Sequence, residues 1–295
     1  MTKEEFKPMD LGAILDKTFR ITFSNMKKYI KVFLMYFGVL FGITLLVLAI
    51  VIGFFIATGF SFENFGEQEI LVPFLLTIIP ISIIALIIII FITIIFTGMI
   101  YDIFSKSFIG EEWDFKSSFK YAKSKFWTIF LAGFLCFFII IGGYLMCCIG
   151  VFPMLALISL VLPVIIYEKE NATGSISRSF KLVSYSFWRV FGSVLLFTII
   201  VQALSLVFQI GFQFLPLMIQ SLNSGRNIQM IIFISILSII TYILYLAYTI
   251  LASALSAAFY VLIFFNQKIK HENFGVEFLA DSLTVDQSSE DKTKK

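Results

Sequence analysis

Charge is what this sequence lacks most. Asp, Glu, Lys and Arg make up only 14% of its 295 residues, against about 25% in soluble domains. So few charges cannot solvate the surface of a soluble fold this apolar. Hydrophobic residues reach 59%, where about 45–50% is usual, and the mean hydropathy is +0.98. That excludes a disordered chain. A net charge of +3 is no footprint for nucleic acid, so no nucleic-acid partner is expected. Histidine occurs once, as His271 in a charged stretch past the last apolar run. A histidine-rich metal site and the zinc-protease motif are thereby excluded. Cysteine is scarce too: Cys136, Cys147 and Cys148 all lie in one apolar run. An odd number with two adjacent makes no disulfide framework and reads as small apolar side chains in packed helices. There is no phosphate loop and no dinucleotide fingerprint, and no cofactor is expected. The carboxylates Glu111, Glu112 and Asp114, and the pair Glu168 and Glu170, border basic segments and read as loop charges or helix caps.

What is present is apolar sequence in lengths that suit a bilayer. Five runs contain no Lys, Arg, Asp or Glu: Val32–Ala57, Leu71–Ile100, Trp127–Tyr167, Val190–Ile219 and Met230–Phe265. About 20 apolar residues cross about 30 Å of hydrocarbon. The third run has 41 residues and carries turn residues from Gly142 and Gly143 through Gly150 to Pro153, which predicts a hairpin. Its second arm is short, so a re-entrant loop is the alternative. The expectation is an all-α polytopic membrane protein with six transmembrane helices, near 32–57, 71–100, 127–146, 150–167, 190–219 and 230–265. They form one membrane domain over 1–280, followed by a polar tail, 281–295, expected to be disordered. The first span directs insertion, since no cleavable leader is evident. Six spans put both termini on one side. Residues 1–31, 101–127, 168–189 and 266–295 hold 21 of the 22 basic residues, and the loop with Glu63, Glu67 and Glu69 holds none. The positive-inside rule therefore places both termini in the cytoplasm.

The segments ahead of three of these spans resemble one another. Ser118-Phe119-Lys120 with Phe126-Trp127 recurs 61 residues later as Ser179-Phe180-Lys181 with Phe187-Trp188. The same offset pairs Asp114 with Ser175, both suited to cap a helix. A weaker copy lies 100 residues earlier, where Phe19-Arg20 matches Phe119-Lys120 and Met26 matches Phe126. The chain thus reads as three units, each an interfacial amphipathic helix followed by a membrane hairpin, with helices near 10–30, 114–126 and 175–188. In the third copy Ile176, Phe180, Val183, Phe187 and Phe191 form the expected apolar face. The opposite faces carry Lys116, Lys120, Lys123 and Lys125 in one copy, and Arg178 and Lys181 in the other. These cations are candidate contacts for anionic lipid headgroups. Trp127 and Trp188 stand at the entry to a span, as interfacial aromatics do.

No ionisable group lies deep in a span, which counts against an ion-coupled pump. The fifth span carries Gln202, Ser205, Gln209 and Gln213 on one helical face, and the sixth carries Tyr242 and Tyr245. This polar stripe reads as interhelical hydrogen bonding or as a groove for an amphipathic ligand. Small residues from Ala252 to Ala258 offer close helix approach.

The stretch Pro8 to Arg20, the centre from Leu162 through Glu168 and from Ser175 to Gly192, and the ending from Tyr260 to Leu279 with Asn273-Phe274-Gly275 resemble a known membrane domain. It is the one attached to some bacterial glycerophosphoryl diester phosphodiesterases. The resemblance implies a bacterial cytoplasmic-membrane protein. In fused members a separate soluble domain performs hydrolysis with a metal, histidines and carboxylates. No such domain stands in this sequence, so no catalytic residue carries over and no enzyme is expected. The function expected is that of a non-catalytic interaction or envelope component, with membrane lipids and an unidentified protein as partners. The alternative is a permease-like or lipid-handling protein with a groove between spans five and six.

Overall fold

A computed structural model describes residues 8–58, 68–145, 150–223 and 228–272. The side chains of 58, 68–71, 211–223 and 228–234 stand outside that description. About 91% of the described residues are helical, with no strand among them. The helices are α1 (Leu11–Ser24), α2 (Met26–Thr58), α3 (Gln68–Ile109), α4 (Phe115–Ser124) and α5 (Phe126–Leu145). They continue with α6 (Val151–Ile158), α7 (Val161–Tyr167), α8 (Ala172–Ser184), α9 (Phe187–Asn223) and α10 (Ile228–His271). Five of these, α2, α3, α5, α9 and α10, are long and apolar enough to cross a membrane. They mark the chain as a helical membrane protein.

The expected fourth span, 150–167, is different. It is two short helices, α6 and α7, and falls below the length of the other crossing segments. Proline explains the break. Pro163 has no N–H for the carbonyl of Ser159 four residues back, and the Ser159 hydroxyl donates to Ala156 O at 2.7 Å. Pro163 and Pro153 each sit in the first turn of a short helix, where missing N–H groups cost nothing. α5 and α6 meet at two of the glycines on which the hairpin was expected, Gly143 and Gly150, and residues 146–149 between them lie outside the described residues. A Cβ on Gly143 would stand 3.1 Å from backbone atoms of Gly150 and Val151, so the two arms touch main chain to main chain.

Three short helices precede long ones, and the junctions are regular. α2, α5 and α9 begin at Met26, Phe126 and Phe187, the offsets of 100 and 61 read from sequence. The short helices end sooner than expected because the long ones take over the positions Met26, Phe126 and Phe187. Asp10, Asp114 and Asn171 cap α1, α4 and α8, accepting from N–H groups at 2.9, 2.9 and 2.7 Å. Asn171 thus replaces Ser175 as the α8 cap. Ser175 lies inside the helix and donates to Asn171 O.

The buried face of each short helix is not its aromatic edge. Thr18, Ser118 and Ser179 are fully buried, and so are Thr22, Ala122 and Val183 one turn on. Phe180 and Ile176 are only half-buried. Small side chains let the helix axes approach neighbouring helices, and two of the serine hydroxyls bond across to them. Ser118 donates to Asp102 on α3. Ser179 donates to Leu157 O on α6 at 2.6 Å.

The core gathers at this end of the molecule. It includes Ile95–Ile109 of α3, α7, and the stretch of α10 from Ala254 onward. Phe265 stacks on Phe108 with centroids 4.3 Å apart, and Phe259 on Phe197 at 4.0 Å. Ala254 and Ala258, from the small-residue patch, are fully buried, while Ser253 shares a 2.6 Å hydrogen bond with Tyr29 of α2. Asn266 ties the start of the chain to α10: its amide exchanges two bonds with the backbone of Met9, at 2.8 and 3.2 Å. The far halves of α2, α3, α9 and α10 expose apolar side chains such as Leu46, Leu76, Ile87, Val207 and Ile239.

Candidate functional site

The polar chemistry sits at the base, where α1, α4 and α8 meet the ends of α3, α7 and α10. On α4, Lys116, Lys120 and Lys123 are exposed. Trp127, at the head of α5, is 74% exposed, and Trp188, at the head of α9, is 79% exposed. Exposed cations on α4 and exposed indoles at the heads of α5 and α9 thus both mark the outer rim of the base. Lys181 is exposed as well.

Two of the candidate headgroup cations are engaged inside the protein. The Lys125 ammonium donates to Lys169 O at 2.6 Å. Burial and the neighbouring Lys169 lower its pKa, against a smaller opposing effect of Glu170. Arg178 lies between two carboxylates. Its guanidinium donates to both oxygens of Glu168, at 2.8 and 2.9 Å, and to both of Glu272, at 2.5 and 2.6 Å. Lys268 adds a 2.9 Å contact to Glu168. Burial alone raises the Glu168 carboxyl, but the hydrogen bonds from Arg178 and Lys268 outweigh it and hold it below the usual carboxylate range. This network fastens α8 to the end of α7 and to the residue after α10. Glu272 is 94 positions from Arg178, so no local spacing in the sequence announces it.

The polar stripe of α9 bonds chiefly along its own helix. Ser205 donates to Gln202 O at 2.9 Å and lies 3.1 Å from Gln202 Oε1, and Gln209 reaches Ser205 at 3.4 Å. Gln202 and Gln209 are exposed, whereas Ser205 is buried. The side chain of Gln213 falls outside the described residues. The contact with α10 is aromatic. Phe208 faces Tyr245 and stacks on Tyr248 at 5.2 Å, and the Tyr248 hydroxyl donates to Val201 O. Tyr242 is exposed. Gln202 also lines an apolar cavity of about 490 Å³ with Phe152, Leu155, Phe191 and Tyr260, between α6, α9 and α10.

A second apolar cavity, about 470 Å³, lies between α3, α5 and the α6–α7 arm, with Cys136 in its wall. Cys147 and Cys148 fall outside the described residues, as do Asn273-Phe274-Gly275 and the tail 281–295.

Sequence reasoning missed a third cavity. It has about 470 Å³ and a polar lining, and it lies at the base between α3, α4 and α7. Asp102 and Lys106 enter it from α3, paired at 3.1 Å one turn apart. Tyr121 enters from α4 and donates to Ile166 O at 2.8 Å. Burial, reinforced by Asp102, pushes its phenol up to about 12. Asp102 stands two residues past the run Leu71–Ile100. Continuing the helical period of that run beyond Ile100 was the signal that pointed to it. Among the described residues no group of three or more His, Cys, Asp or Glu side chains is placed to hold a metal ion. No protein-family model, no curated protein and no solved structure matches the chain.

Proposed function

We propose that the chain is a non-catalytic polytopic protein of the bacterial cytoplasmic membrane that engages anionic lipid headgroups at its cytoplasmic face. In this reading both termini are cytoplasmic, and the α5 to α7 hairpin is the middle of three units. The protein acts as an interaction or envelope-organising component with a protein partner. The observation that carries the reading is the rim of the base. Lys116, Lys120 and Lys123 are exposed on one short helix directly ahead of an exposed Trp127. Each basic residue near an anionic leaflet contributes about 1 kcal/mol, so three act together. Amphipathic helices with this pattern lie in the headgroup layer.

The test is lipid retention by the full chain in discs of mixed phosphatidylglycerol and phosphatidylethanolamine. Changing Lys116, Lys120 and Lys123 together to Gln should lower the phosphatidylglycerol retained, and the difference should shrink at high salt. Unchanged enrichment of the anionic lipid would contradict the reading.

A second reading, a lipid-handling or permease-like protein, is favoured by the cavity that Gln202 lines. A single cysteine at position 202, in a chain lacking Cys136, Cys147 and Cys148, separates the two. Labelling by a water-soluble thiol reagent favours the transport reading, and protection favours packing, because the reactive thiolate needs solvent.

A further inference from the structure

We infer that the two apolar cavities flanking the α6–α7 arm are equivalent sites, each holding one anionic phospholipid by an acyl chain. The inference deepens the lipid reading above and rests on it in one respect, that these helices stand in lipid.

The equivalence lies in the residues. The offset of 61 that relates α4 and α5 to α8 and α9 also relates the cavity walls. Phe130, Gly133 and Phe134 line one cavity, and Phe191, Val194 and Leu195 line the other. Each is completed by the arm before that helix and the arm after it: α3 and α6–α7 around α5, α6 and α10 around α9. Ile158 of the shared arm lines both. The aromatic clusters match as well. Phe130 meets Trp127 edge to face at 5.9 Å and stacks on Phe126 at 6.1 Å. Phe191 meets Trp188 edge to face at 6.1 Å and stacks on Phe187 at 5.7 Å. The same three rings therefore join each cavity to an exposed indole of the kind that sits at headgroup level.

The walls select an apolar occupant. Thr93 and Thr97 return their hydroxyls to their own helix at 2.7 and 2.8 Å. Ser159 does the same, and Thr198 and Tyr260 bond to each other. A trapped water needs about two to four polar partners, and an empty cavity forfeits dispersion contacts along its walls. The volumes, about 470 and 490 Å³, are too small for a partner's helix. At about 10–12 Å across, a single helical turn takes about 500 Å³. An acyl chain is a single file of methylenes and fits. In lipid it gains by contact rather than by hydrophobic transfer.

Charge identifies the other end of the occupant. No Asp or Glu occurs from Phe115 to Tyr167 or from Asn171 to His271. Lys116, Lys120 and Lys123 are exposed ahead of Trp127, and Lys181 and Arg189 are exposed on either side of Trp188 in sequence. Both approaches are cationic, so the apolar tail that enters belongs to a molecule with an anionic head.

The test uses the purified full chain taken from discs of mixed phosphatidylglycerol and phosphatidylethanolamine. Native mass spectrometry counts retained lipids, and thermal melting reports folding. The wild-type protein should keep two phospholipids per chain, enriched in phosphatidylglycerol. Gly133→Leu fills the first cavity, because a Cβ at Gly133 meets nothing within 4 Å. Leu195→Trp fills the second. Each should halve the retained number, and the double variant should retain none. Gly133→Ala is too small to fill the space and should keep both lipids. Gly133→Leu should not lower the melting temperature, since leucine propagates a helix better than glycine. Two lipids retained in both filling variants would overturn the inference. So would a change in oligomeric mass in place of a change in lipid number, which would assign the cavities to a second copy. Changing Lys116, Lys120 and Lys123 to Gln should lower the phosphatidylglycerol share and leave the number of lipids unchanged, whereas filling a cavity lowers the number. Failure of the rim reading is therefore distinguishable from failure of the cavities.

Discussion

Arg178 shows how far one residue's role can depart from what its neighbours in sequence announce. Amphipathic spacing put it on the polar face of α8, and the fold sets it between Glu168 and Glu272. The spacing was legible, because helical period is local. The partners were not, because Glu272 arrives from the other end of the chain. Its side chain and both carboxylates are mostly shielded, so the pairs lie between the exposed and buried cases. Arg178→Ala should cost about 2 kcal/mol, above the value under about 1 of exposed pairs and below the about 3–5 of buried ones. Chemical denaturation in a fixed detergent would measure it. Arg178→Lys should not restore the loss, since one ammonium cannot satisfy two carboxylates bidentately. Acid should act on the same network. Glu168 is held below its unfolded value of about 4.3. Its stabilisation is therefore complete above that pH and is lost as pH falls through the folded value. The melting temperature should drop as the pH is lowered below about 4.3, and the drop should be smaller in Arg178→Ala.

Helix by helix, the long apolar elements were legible because an uninterrupted run leaves the backbone no other solution in lipid. The division of α6 from α7 was not. Pro163 sits inside an apolar run, and only the Ser159 hydroxyl bond shows which turn gives way. The same holds for the short amphipathic helices. Their existence followed from period and caps, but the serine and threonine edge that meets the core lies one position away from the aromatic edge that the pattern emphasises. Two adjacent glycines of α5 test the hairpin at this scale. At Gly142 an added Cβ meets nothing within 4 Å, while at Gly143 it meets backbone at 3.1 Å. Gly142→Ala should be neutral or stabilise by up to about 1 kcal/mol, the helix propensity gained. Gly143→Ala should destabilise by about 1–3 kcal/mol through overpacking. Equal melting temperatures for the two variants would contradict the close approach of the hairpin arms.

At the scale of the molecule the long helices exceed a bilayer. At about 1.5 Å per residue, the 42 residues of α3 extend about 63 Å and the 44 of α10 about 66 Å, against about 30 Å of hydrocarbon. Their polar ends and most of the packed core lie at the base, and their exposed apolar halves lie away from it. The proposed reading sets the base at a membrane surface and the long helices in lipid, tilted or prolonged beyond it. Composition and apolar run length made the helical membrane class legible. The polar cavity was hidden because α7, which closes it, meets Tyr121 from 45 positions along the chain. The central claim is the side on which the base lies, drawn from the 21 of 22 basic residues in segments assigned to the cytoplasm. Reporters read topology directly when inserted near Ser184, near Phe65 and after Lys295. The account predicts cytoplasmic signals at Ser184 and Lys295 and an external signal at Phe65. A cytoplasmic signal at Phe65, or an external one at Ser184, would contradict it.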